Sequence, residues 1–261
     1  GNFSIANSDL ILVLGSRLNS LTTGTDFCSF AREAKVVVVD IDPIEHSKKS
    51  IQIDKYIQGD LLVLLKHLNN ISINKTYECW IQKCQHWKKL FNPIETNFLS
   101  KNEIDLYQLS RSLSDLLPTP STLITDSGLV EVILPTNIFF REGIRCIHPT
   151  SQGVMGFALP ASIGAYFASG QTVIAVIGDG SFMMNLQELE VINYHRIPIK
   201  IIIIKNNVYS IIRRRQKDLF RRRTIGTDPS NGISCPDFSK VAKSFDIDFM
   251  QINEVKDLES G

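Results

Sequence analysis

One segment of the chain carries residue types able to hold a polyphosphate and a divalent cation: Gly178-Asp179-Gly180-Ser181, followed downstream by Asn206-Asn207. Each run follows a short β-rich stretch, Thr172 to Ile177 and Ile199 to Ile204, that reads as a buried strand, with a helix expected over Leu186 to Tyr194 between them. One βαβ crossover then brings both runs to the carboxyl edge of a parallel sheet, where α/β folds bind ligands. Glycines let backbone N–H groups come close to a phosphate, and the helix that follows offers its positive end. Asp179 adds a carboxylate and Asn206 an amide oxygen. With diphosphate oxygens, a backbone carbonyl and water they make up the octahedral oxygen set that Mg2+ takes. Gly-Asp-Gly alone is usually a turn and Asn-Asn is common, so the spacing and the surroundings carry this reading.

The elements that must position these residues alternate between β and α. Ile104 to Leu117 has helical periodicity and ends at Pro118, and Thr122 to Thr125 reads as a strand running into Asp126-Ser127-Gly128. Pro160 to Ser169 reads as a helix, with proline near its start and Gly170 after its end. Nearer the N-terminus, Leu10 to Leu14 and Val36 to Ile41 read as buried strands, and Thr25 to Lys35 and Asp60 to Leu68 as helices. This alternation predicts an α/β protein of two doubly wound parallel-sheet domains. From Asn69 to Asn102 the pattern loosens, with a helical stretch at Trp80 to Leu90 and a breaker at Asn92-Pro93. The expected division is a first domain over 1–75, a linker over 76–102 and a second domain over 103–261.

Composition narrows the function classes. The 261 residues are 43% apolar and 21% charged, with a net charge of +1 from 28 basic and 27 acidic residues. That balance fits a globular protein and does not recommend nucleic acid as a partner. No apolar run approaches a membrane span, and no signal peptide opens the chain. Five scattered cysteines fit a reducing compartment, so a cytoplasmic location is expected. Both ends look cut: there is no initiator methionine, and apolar stretches lie close to each terminus, so a fragment of a longer protein is expected. No Gly-x-Gly-x-x-Gly follows the first strand, which removes support for an NAD-type dehydrogenase. Cys79, Cys84 and His86 fit no zinc spacing, while His148, His195, Phe182 and the Tyr209 ring read as structural. The run Arg213 to Arg223 holds seven basic residues. It reads first as a solvated helix and loop, second as a contact to an anionic substrate and third as a nucleic-acid patch.

The segment Gly178-Asp-Gly-Ser-Phe-Met-Met-Asn-Leu-Gln-Glu-Leu189, with Ile197-Pro-Ile-Lys200 and Asn206-Asn207, resembles the thiamine diphosphate (ThDP) enzyme superfamily, nearest its acetolactate synthase-like branch. The resemblance continues through Gly153-Val-Met-Gly-Phe-Ala-Leu-Pro160 and Thr125-Asp-Ser-Gly128, and Leu10 to Ile44 resembles the end of the family's central Rossmann-like domain. It implies that 1–75 is the C-terminal part of that domain and 103–261 the diphosphate-binding domain. It further implies that Asp179, Asn206 and the carbonyl of Val208 bind Mg2+. Backbone around Gly128, Gly178, Gly180, Ser181, Tyr209 and Ser210 would then hold the diphosphate, and Gly153 and Met155 would face the aminopyrimidine. The implied activity is decarboxylation or carboligation of a 2-keto acid by a homodimer or homotetramer. The activating glutamate would come from a pyrimidine domain, so no catalytic residue is expected in this chain, and the isolated chain is expected to be inactive. Leu129 and Val130 stand where the branch usually has Gln and His, and Leu21 where it has a flavin-associated Arg. These departures put FAD in doubt and keep open a catalytically silent nucleotide-binding or assembly subunit. Asp40 could meet an adenosine ribose or cap the turn before Pro43.

Overall fold

The Leu- and Val-rich runs near the N-terminus form β1 (Leu10–Leu14) and β2 (Lys35–Asp40), which pair in parallel from Leu10↔Lys35 to Leu14↔Val39. The computed structural model describes residues 1–72, 75–91, 104–149 and 152–258. Contacts divide the chain into two units, Gly1–Asn92 and Pro93–Gly261.

In the first unit β3 (Lys55–Gln58) pairs with β2, giving a parallel sheet of order β1-β2-β3. Two short helices, α1 (Asn2–Ala6) and α2 (Ser20–Thr23), flank β1 in sequence, and α3 (Leu61–Leu68) follows β3. The Asp60 side chain caps α3 by accepting from the Leu62 amide. Val13, Leu18, Ala31, Val36 and Val38 make the core. Along β1, Leu10, Leu12 and Leu14 alternate outward and are exposed, Leu10 at 57%. The helix expected over Thr25 to Lys35 is absent. Ser29 Oγ donates to Asp26 Oδ2 in a single 3-10 turn, Ala31 adopts a left-handed φ of 49°, and Lys35 is drawn into β2 by its amide bond to Asp9 O. The helical stretch expected near Trp80 is α4 (Glu78–Leu90), and it packs on α1, with Phe3 and Phe91 stacked at 4.6 Å. The remainder of the expected linker, residues 92 to 102, lies outside the described residues.

The second unit is a four-stranded parallel sheet of order β5-β4-β6-β7, comprising β4 (Ser121–Thr125), β5 (Ile144–Ile147), β6 (Thr172–Gly178) and β7 (Lys200–Ile204). Alternation along β6 feeds two cores, with Val173, Ala175 and Ile177 on one face and Ile174 and Val176 on the other. The first core takes residues from α7 (Ala158–Ser169), α9 (Glu188–Tyr194) and α11 (Phe238–Ser244). The second takes residues from α5 (Leu106–Leu116) and α6 (Leu129–Asn137). One-turn α8 (Asp179–Phe182) opens at the end of β6, and α10 (Ser210–Leu219) follows β7. Here the doubly wound expectation holds. An Asp105–Gln108 capping box starts α5, and left-handed Gly170 (φ 64°) ends α7.

From β4 the chain crosses by α6 to β5 on one side, then returns by α7 to β6 on the other. The loops leaving β4 and β6 therefore run to opposite faces of the sheet. A crevice at such a switch point is where open α/β sheets take ligands.

Candidate functional site

That crevice is bounded by Asp126 to Gly128 after β4 and by Gly178 to Ser181 after β6. Register sets Gly178 beside Ile204, so the residues after β7 arrive at the same edge. Asp179 is buried, its Oδ2 accepts from the Asn207 amide at 2.6 Å, and its Oδ1 takes the Gly180 amide at 2.7 Å. No ion pair to Asp179 is found among the described residues. Asn207 makes its bond from a left-handed φ of 53°, a conformation Asn tolerates. Asn206 lies next to it, with Oδ1 accepting from the Val208 amide at 3.1 Å and Nδ2 3.4 Å from Ser210 Oγ.

This donor set fits a hard cation. It offers a buried carboxylate without a cationic side-chain partner and a neighbouring amide oxygen, both with spare lone pairs, on one loop junction. The negative charge of Asp179 is also felt nearby. Burial first, then Cys235 and Asp179, raises the Tyr209 phenol, and burial and Asp179 raise the Cys235 thiol against an opposing Lys205. The Tyr209 ring covers Gly180 so closely that a Cβ there would stand 1.9 Å from Cε1. The Gly at 180 is thus required by packing as well as by any approaching phosphate.

The first loop and the Gly153 to Ala158 segment are joined by Asp126, which the sequence reading quoted but gave no role. Asp126 is fully buried; Oδ1 accepts from the Ser127 and Gly156 amides (2.8 and 3.1 Å), and Oδ2 from the Ala158 amide at 2.8 Å. Asn185, after α8, donates to Gly156 O at 2.6 Å, tying this segment to the Asp179 loop. Gly153 and Gly156 have φ of 57° and 83°, and half-buried Met155 stands between them. Gly128 (φ 94°) caps α6 with open space where a side chain would be. Gly128, Gly153, Met155, Gly178, Gly180 and Ser181 thus lie in strand ends, loops and helix starts along one sheet edge, as do Asn206, Val208, Tyr209 and Ser210.

The Tyr209 amide, which the resemblance implies at a diphosphate, donates here to Thr227 O at 2.9 Å. Buried Thr227 belongs to a loop closed on Asn231, whose Oδ1 accepts from the Thr227 and Asp228 amides. Glu131 was also missed. Its carboxylate lies 4.0 Å from His148 Nδ1 and close to Gly153, and burial raises its pKa, with His148 opposing and Asp126 adding. Leu129 is half-exposed at the crevice, whereas Val130 is buried in the core beneath it. In the first unit Asp40 takes the capping role: Oδ1 accepts from the Asp42 amide at 2.9 Å, and Oδ2 lies 3.2 Å from His46 Nε2.

Two family models match the chain. Residues 1–68 match the thiamine pyrophosphate enzyme central domain, and residues 126–261 its C-terminal TPP binding domain. Among curated proteins the chain is 31% identical to an acetolactate synthase large subunit of Cyanidium caldarium, over 99% of this chain and 44% of that protein. It is 31% identical to acetolactate synthase isozyme 2 large subunit of Escherichia coli K12, over 99% and 46%. With the chloroplastic acetolactate synthase 1 of Zea mays it shares 29% identity, over 98% and 42%. The chain spans less than half the length of these relatives. With both models matched in order, and the second covering more than half of the chain, the chain belongs to the thiamine pyrophosphate enzyme family.

Proposed function

We propose that this chain supplies the diphosphate and metal half of a ThDP site, in an enzyme that decarboxylates a 2-keto acid or joins it to a second carbonyl compound. The observation that carries the reading is buried Asp179 at the switch point, bonded to the Asn206-Asn207 loop. Asp179 and Asn206 would hold Mg2+ with the Val208 carbonyl, leaving water and diphosphate oxygens to complete six positions. Gly128 and Gly178 to Ser181 would surround the diphosphate, joined by the first turn of α10 at Ser210. Gly153 and Met155 would face the aminopyrimidine on a segment that Asp126 holds rigid. Bound ThDP supplies an electron sink at its thiazolium ring.

The relatives are named acetolactate synthases, and we carry that reaction class over as the working assignment. A homodimer or homotetramer in a reducing, cytoplasmic setting accompanies it, as five free cysteines favour. No helix among the described residues is long and apolar enough to cross a membrane. The activating glutamate belongs to a pyrimidine-binding domain that neither matched model represents, so the 261-residue chain alone should not turn over. A silent assembly subunit is the second reading, favoured by apolar Leu129 and Val130 at the start of α6.

Calorimetric titration of ThDP, with and without Mg2+, tests the proposal. Saturable binding that requires Mg2+ and disappears in Asp179→Ala supports it, and absence of binding by the folded protein rejects it in favour of the silent subunit.

A further inference from the structure

The basic run after Asn206 begins in α10, where some side chains are held by a tether and others are open to solvent. Arg213, Gln216 and the following loop face inward to a tether. Arg213 Nε lies 3.2 Å from Asp228 Oδ2, and the Gln216 amide group bonds the Ile225 backbone in both directions, at 3.1 and 2.8 Å. Ser210, Arg214 and Lys217 recur at i, i+4 and i+7 and share one face, with Arg213, at i+3, on its edge. That face lines an open cleft of about 360 Å3, together with Val208, Arg213 and Asp218. The cleft begins at the residues assigned to the cofactor edge, since Val208 donates its amide to Asn206 and Ser210 Oγ lies 3.4 Å from the Asn206 amide.

Charge in the cleft is unbalanced. Arg213 is offset by Asp228, and Arg214 meets Asp218 at 3.5 Å, but that pair is 83% and 59% exposed and therefore weak. Lys217 has no ion-pair partner among the described residues. A nucleic-acid surface would need a continuous basic stripe, whereas here the positive groups converge on one cleft at the end of a cofactor edge.

We infer that this cleft is a specificity subsite: Lys217 and Arg214 receive a second anionic group, a carboxylate or phosphate, on the 2-keto acid or its carbonyl partner. The inference rests on the ThDP reading for the position of the reacting end, and it departs from a substrate with a single carboxylate. The Asp218 carboxylate, which meets Arg214 only in an exposed and weak pair, would give way to that group.

The test uses the full chain at low ionic strength. ThDP with Mg2+ is titrated first, then pyruvate, 2-oxoglutarate and inorganic phosphate, into wild type, Lys217→Gln and Asp218→Asn. Arg214, Lys217 and Asp218 are surface residues, so the variants should fold, and ThDP affinity serves as the check. 2-Oxoglutarate should bind about tenfold tighter than pyruvate, as one charge-assisted contact implies. That preference should fall toward parity in Lys217→Gln, grow in Asp218→Asn and shrink as salt rises. Phosphate outcompeting 2-oxoglutarate would mark the group as a phosphate; the reverse order would mark it as a carboxylate. Equal affinity for pyruvate and 2-oxoglutarate, or a preference indifferent to Lys217, overturns the inference. So does Lys217-dependent binding of a single-stranded oligonucleotide without keto-acid preference. If ThDP fails to bind while Lys217 still sets the anion preference, the proposed function falls and the anion subsite stands.

Discussion

Two carboxylates occupy equivalent places in the two units, each at the carboxyl end of a parallel strand, and the chain uses them in opposite ways. Asp40, at the end of β2, has one oxygen on the Asp42 amide and the other against His46, whose side chain is almost fully buried. Asp179, just past β6, takes only backbone amides and keeps its charge without a cationic side chain among the described residues. One carboxylate closes a turn, and the other is the one we propose as a ligand to Mg2+. The difference teaches that position in an α/β sheet permits a site, but local partners decide whether one exists. Among the described residues β1-β2-β3 follow one another in sequence order, whereas the chain reverses around β4.

The sharpest way to break this comparison is to remove each carboxylate in turn. Asp179→Ala should weaken Mg2+-dependent ThDP binding by at least ~100-fold, more than loss of a metal's outer partners usually costs. Asp40→Ala should leave that affinity unchanged while lowering stability. Calorimetry on both variants checks this, and equal losses of affinity would erase the distinction.

Next in size is Asp126, which serves the same edge as Asp179 without being proposed to touch the cofactor. Asp126→Ala leaves the Gly156 and Ala158 amides without their acceptor and should destabilise the second unit by about 3 kcal/mol. Denaturant unfolding reads the loss. A change below about 0.5 kcal/mol would mean that the amides find other acceptors. Gly180→Ala follows, at about 1–3 kcal/mol of overpacking against the Tyr209 ring. Combining it with Tyr209→Leu should recover part of that loss in the same measurement, whereas strict additivity would place the clash elsewhere.

These effects were unequally legible in the sequence. Central strand β6 announced itself by a continuous apolar run, because both faces are buried and no alternation is required. Edge strands β3 and β5 carry Lys55, Gln58 and Arg145 and gave no such signal. Helix α6 was hidden by Pro135 near its end and by apolar residues spread over most of its faces. Asp179 and Asn206 were legible because each stands a residue or two beyond a readable strand. The role of Asp126 was not, since its partners lie some thirty residues away at Gly156 and Ala158. Nor could any local pattern show that Thr227, in a loop organised by Asn231, would take the Tyr209 amide.

The smallest expected effect is a pH dependence of opposite sign in the two units. The Asp40 carboxyl is held below its ordinary 3.8, first by the Asp42 amide and then by His46, with burial opposing. A folded pKa below the unfolded one contributes stability above 3.8, and that contribution disappears as pH falls through the folded value. Glu131 is raised above its ordinary 4.5, chiefly by burial. Its contribution is complete below 4.5 and disappears as pH rises through the raised value, because the native site then holds an unwelcome charge. Glu131→Gln should therefore raise the urea midpoint of the second unit near neutral pH and leave it unchanged below about pH 4. Asp40→Asn should lower the midpoint of the first unit near neutral pH, with the difference shrinking on acidification. Amide exchange at β2 and β4 separates the two units in one experiment. If both variants shift their midpoints in the same direction at neutral pH, the contrast between a satisfied carboxylate and one held ready at a ligand crevice does not extend to Glu131.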